Sequence, residues 1–90
     1  MAAARTALVR ALMIWPESAV SWTELARLER RSFRRARAAG EALAARAHLA
    51  AAIAAFERAL ASGDDLRATG VLFAPALVNA ELAELKRAAR

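Results

Sequence analysis

Six arginines, Arg27, Arg30, Arg31, Arg34, Arg35 and Arg37, are the densest chemical feature of this chain. On a helix turning 100° per residue, Arg27, Arg30, Arg31, Arg34 and Arg37 project on one flank, and Arg35 lies further round. Five guanidinium groups along about 15 Å have the spacing to engage successive phosphates of a nucleic acid. The same flank suits an acidic protein face. It also reads as a plain solvated surface, because Glu24 and Glu29 lie close enough in sequence to pair with it. Base stacking needs aromatic residues between the cations. Phe33 is the one interleaved here, and it falls on the apolar side of the helix.

The other reactive residue types are sparse. His48 is the sole histidine and sits in an alanine run. A metal site needs several ligands, and no paired His, Cys or carboxylate spacing supplies them. His48 therefore reads as a helix-surface or interface histidine. Asp64 and Asp65 are explained by helix capping. The chain has no cysteine, which excludes disulfides and thiolate metal sites. It carries neither a glycine-rich phosphate loop nor a Gly-x-Ser-x-Gly elbow. These observations predict a non-catalytic protein with no metal and no cofactor.

A second surface is apolar. Ala42, Ala45, Leu49, Ala52, Phe56, Ala59 and Gly63 recur with alternating spacings of three and four. Small residues in such a seam let a facing helix come close, and Leu49 and Phe56 act as knobs. Leu49, Ala52, Ile53, Phe56 and Leu60 are the expected partner-binding residues. The alternative is that the same face is an ordinary internal core.

Helices must carry both surfaces. Leu8, Leu12 and Trp15 fall at i, i+4 and i+7 and predict a first helix over 3–15, stopped by Pro16. Ser21-Trp22-Thr23-Glu24 reads as a capping box that starts the next helix at Trp22. No proline follows until Pro75, and residues 36–61 are mostly alanine, so propensity predicts one long helix over 22–61. The apolar pattern changes phase within it. Trp22, Leu25, Phe33, Ala36, Gly40 and Leu43 share one side, whereas Leu49, Ile53, Phe56 and Leu60 share nearly the opposite side. A break or bend near residues 40–48 would reconcile them. Between the two readings, the continuous or merely bent helix is the expectation. Gly63 and Asp64 then read as stop and restart. Short helices over 65–73 and 75–89 follow, the second opening on Pro75 and carrying the stripe Val78, Leu82, Leu85 and Ala89.

The chain is 90 residues long, enough for one domain. Its hydrophobic content of 59% is about half alanine, leaving about two dozen larger apolar side chains. A chain this short rarely buries all of those by itself. A protein partner or self-association is therefore expected. The net charge of +5 favours acidic partners, nucleic acid among them. No uncharged run approaches the ~20 residues that a transmembrane helix needs. Residues 1–15 hold Arg5 and Arg10 with no acid before Glu17, and they resemble an organellar targeting peptide. The expected setting is intracellular, either cytoplasm or an organelle matrix.

Two short stretches resemble known helical motifs. Trp22-Thr23-Glu24-Leu25-Ala26 resembles the opening of a helix-turn-helix unit, but Leu28-Glu29-Arg30-Arg31 stands where that family turns. Gly40, Leu43, Ala52, Phe56 and Ala59 are spaced as in a tetratricopeptide hairpin, which implies two antiparallel helices meeting near Ala47-His48. No second copy of that pattern follows. The chain as a whole reads as all-α, with three to four helices in an elongated or open bundle. Its role is that of a small helical subunit or adaptor, the alternative being a basic nucleic-acid- or ribosome-associated protein.

Overall fold

The computed structural model describes residues 2–14, 19–61 and 75–89. Among these residues the fold is all-α. Four helices run α1 (Ala2–Ile14), α2 (Ala19–Ala38), α3 (Ala42–Ala61) and α4 (Pro75–Ala88). α1 and α4 fall within the regions expected for the first and last helices, 3–15 and 75–89, where these are described. Trp15, Pro16, the Gly63–Asp64 break and the expected helix over 65–73 lie outside the described residues.

The expected long helix over 22–61 is two helices. Gly40 breaks it, with φ at 76°. The amide of Glu41 donates to the Ala36 carbonyl at 2.9 Å, and that of Gly40 donates to Arg37 at 3.1 Å. This bond pair is a Schellman motif, in which a left-handed residue satisfies the last carbonyls of a helix. The Glu41 carbonyl then accepts the Ala45 amide at 2.9 Å and opens α3. Three residues thus end one helix and begin the next. The phase shift in the apolar pattern carried more weight than helix propensity. A straight helix would leave its two apolar faces on opposite sides, whereas a turn at Gly40 folds them onto each other.

The capping box at Ser21 is also corrected. α2 begins at Ala19, so Ser21 and Glu24 lie within the helix. The buried Thr23 hydroxyl donates to the Ala19 carbonyl at 2.8 Å, a bond back along the helix. Ala19 is fully buried, and burying it favours extending the helix past the expected cap.

The core lies along the α2–α3 hairpin. Ala26, Phe33 and Ala36 face Ala45, Leu49, Ala52, Phe56 and Ala59, and α4 adds Val78, Leu82 and Leu85. Seven of the thirteen residues in this cluster are alanine, so the helices approach closely and Phe56, with 0% exposure, is the largest fully buried side chain. Ion pairs fix the helix directions. Arg5 of α1 meets Glu29 of α2 while Val9 borders the same groove as Trp22 and Leu25, an order that runs α1 against α2. Arg27 and Arg30 reach Glu81 while Arg34 reaches Glu84, so α4 runs with α2 and against α3. The result is a flattened up-down-up-down arrangement of 40 × 27 × 17 Å.

Candidate protein-interaction surface

The arginine flank of α2 splits into two groups. Arg27 is held by Glu81 through two bonds, Nε to Oε2 at 3.2 Å and Nη2 to Oε1 at 2.9 Å. Arg30 Nη1 donates to the same Oε2 at 2.7 Å. Arg34 meets Glu84 at 3.4 Å on the exposed side. Arg31 and Arg35 are exposed, and the Arg37 guanidinium lies 5.2 Å from the centre of the Phe33 ring. Three of the five expected polyanion contacts are therefore answered by the acidic side of α4. Glu24, expected to pair with this flank, acts on Arg27 through its charge, whereas Glu29 turns instead to Arg5 and His48.

Glu81 is the electrostatic centre of the flank. Burial of its carboxyl favours the neutral form. The hydrogen bond and charge of Arg27, followed by those of Arg30, outweigh that and hold the carboxyl below its ordinary value. The Arg27 guanidinium is correspondingly raised, chiefly through its hydrogen bond to Glu81. The Arg30 Nε is buried and finds no hydrogen-bond partner among the described residues.

Glu29 is the residue that sequence reasoning placed wrongly. Its side chain is 4% exposed, and it bridges three helices. Oε1 meets Arg5 of α1 at 3.2 Å and Oε2 meets His48 Nδ1 of α3 at 2.9 Å. A buried carboxylate needs such partners. His48 is half-buried and borders a shallow cleft of 270 Å³ with Ser32, Arg35 and Glu41. Among the described residues no three His, Cys, Asp or Glu side chains are grouped to hold a metal ion.

The expected partner-binding stripe is the inside of the hairpin. Leu49, Ala52 and Phe56 are buried, and Ile53 and Leu60 pack against the core from its edge. With the turn at Gly40, this stripe faces α2 and α4 of the same chain. Ile53 also borders a groove of 560 Å³ beside Phe33, Arg37 and the end of α4.

Apolar side chains left in solvent mark a different face. Met13 is 79% exposed, Ile14 87% and Val9 43%, all on α1. Leu43 and Leu77 are exposed elsewhere, although Leu43 was expected to share an apolar side with Trp22 and Phe33. Beside α1 runs a groove of 420 Å³ with Trp22, Leu25 and Glu29 of α2 as its floor. Val9 and Arg5 form one wall, and Ala51, Ala54, Ala55 and Arg58 of α3 form the other. The Arg58 guanidinium lies 5.2 Å from the centre of the Trp22 ring. No helix among the described residues is long and apolar enough to cross a membrane.

No family model, curated protein or solved structure matches this chain. The functional reading therefore rests on its own surfaces.

Proposed function

We propose that this chain is a non-catalytic helical subunit that packs against another protein chain within an intracellular assembly. The exposed apolar face of α1 carries the reading. Val9, Met13 and Ile14 stand outward on a helix of thirteen residues, next to an open groove. Covering a side chain such as Met13 or Ile14 is worth ~1.5–3 kcal/mol, a gain left unrealised in the isolated chain. Clustered apolar residues bordered by arginines are characteristic of protein-binding faces rather than of solvated ones.

The test is the size of the native protein in a gentle, low-salt extract. The chain itself is 9.6 kDa. The reading expects it to migrate in a larger complex, and expects the doubly substituted Met13→Lys/Ile14→Lys chain to leave that complex while keeping its helix content. A native protein that migrates as the free chain would refute it.

Polyanion binding has less to rest on. Arg27, Arg30 and Arg34 already meet carboxylates, which reduces the charge open to phosphates. Arg31 and Arg35 remain exposed, and replacing both by Glu would abolish salt-dependent RNA or DNA binding on that reading.

A further inference from the structure

The groove between α1 and α3 is three rungs deep along α2. At one end Arg5 meets the buried Glu29, and Ala51 stands on the opposite wall. In the middle, Leu25 lies between Val9 and the Ala54–Ala55 pair. At the other end Arg58 lies over Trp22. From Glu29 to Trp22 the floor spans eight residues, about 10 Å of helix. The α3 wall presents alanine methyls, so an incoming helix can approach to the ~8–10 Å axial distance of close packing. Val9 and Met13, at i and i+4 on α1, extend the apolar wall beyond the groove.

Among the described residues that line this groove, the exposed charge has one sign. α1 carries Arg5 and Arg10 and no acidic residue, and Arg58 stands on the far wall. Among the described lining residues the one carboxylate, Glu29, is buried and already meets Arg5 and His48. A second copy of this chain would bring a net charge of +5 to the same rim. Like charges at a rim oppose association, and complementary charges favour it.

Resting on the protein-binding role proposed above, we infer that the groove between α1 and α3 receives two to three turns of an amphipathic acidic helix from a different chain. Its apolar side covers Leu25, Val9 and the alanines of α3. Its carboxylates face Arg5 and Arg58. With this guest helix, α1, α2 and α3 complete a four-helix arrangement.

Calorimetric titration of the full chain tests the inference with two blocked peptides of about 18 residues, long enough to be helical. Both carry the same Ala/Leu face, and one has Glu on its flanks where the other has Lys. The acidic peptide is expected to bind about tenfold more tightly, as two or three rim pairs would give, and to weaken with salt. Ala54 is exposed on the groove wall, so Ala54→Glu should abolish binding without unfolding the chain, and Ala54→Lys should retain it. Ala83→Glu, on the exposed side of α4, should leave binding unchanged. Equal affinity for the two peptides, no binding, or binding that survives Ala54→Glu would overturn the inference. So would a dimer in sedimentation that Ala54→Glu dissociates, because the occupant would then be a second copy. If Met13→Lys/Ile14→Lys still disrupts a native complex while the acidic peptide fails, the occupant is wrong and the protein-binding role stands. If no native complex forms, the role itself fails.

Discussion

Replacing Glu81 by glutamine should destabilise the chain far more than the same change at Glu84, although both acids lie on α4 and both face arginines of α2. Glu81 has 11% side-chain exposure and takes three charged hydrogen bonds, two from Arg27 and one from Arg30. Glu84 is 61% exposed and has one long bond to Arg34. Glutamine keeps the size of Glu81 and one acceptor oxygen, but it removes the charge and leaves a donor facing two guanidinium groups. Hydrogen bonds to charged groups contribute about 1.5–3 kcal/mol each when partly buried, with some relief from water here. We expect a net loss of about 2 kcal/mol for Glu81→Gln, and ~0.5 kcal/mol or less for Glu84→Gln. For a domain of this size, ~2 kcal/mol lowers the thermal midpoint by roughly 8–16 °C.

The pH dependence makes the test sharper. The folded Glu81 carboxyl is held below its ordinary value of 4.5. A depressed carboxyl contributes stability that is present in full above the unfolded value and is lost as pH falls through the folded one. The stability gap between the native chain and Glu81→Gln should therefore be constant from pH 8 to about pH 5 and should close in more acidic solution, where the native side chain is also neutral. Urea unfolding followed by circular dichroism across this range measures it. An equal loss for Glu81→Gln and Glu84→Gln, or a gap that does not narrow in acid, would refute the clamp between α2 and α4.

Other perturbations probe the remaining joints. Phe56→Ala should cost about 3–5 kcal/mol. That is much of the ~5–13 kcal/mol total for a chain of this length, so chemical denaturation should show a partly unfolded protein at room temperature. Gly40→Ala meets no atom within 4 Å of the added methyl; its cost is the left-handed backbone alone, about 1 kcal/mol, read as a shift in urea midpoint with unchanged slope. Glu29→Ala leaves Arg5 and His48 without their shared acceptor and should selectively increase amide exchange in α1 while the α2–α3 hairpin stays protected.

What the sequence made legible was local. Pro75 marked the start of α4, and Val78, Leu82 and Leu85 gave its buried stripe because a period of 3.6 is written in adjacent turns. Gly40 was visible, but its meaning depended on weighing two signals. The alanine run argued for continuity through propensities of a few tenths of a kcal/mol per residue. The rotation between Phe33 and Phe56 argued for a turn, and burying both faces outweighs the propensity term. The pairing of Arg27 and Arg30 with Glu81 spans more than fifty residues and follows no local period. A matching interval existed in retrospect, since Glu81 and Glu84 are spaced to meet arginines one to two turns apart on a parallel helix. Burial of Glu29 had no such sign, because it depends on α1 folding back over α2.

The two acidic residues that matter divide the labour of holding the outer helices. The hairpin of α2 and α3 is joined by a continuous apolar core, and its many alanines make that core thin. α4 adds three buried apolar residues and then needs Glu81 to hold it against the arginine flank. α1 adds Leu12 to the buried set and is tied to α2 by the pair between Arg5 and Glu29. The weaker of these attachments is α1: Arg5 is half-exposed, and the far end of the helix leaves Met13 and Ile14 in water. Elements with few buried apolar contacts sit toward the low-stability end of a fold. This places adaptability in the element that lines the groove and carries the uncovered apolar face. A guest helix seated there would gain its own burial and would also strengthen the attachment of α1, so binding and local folding would reinforce each other.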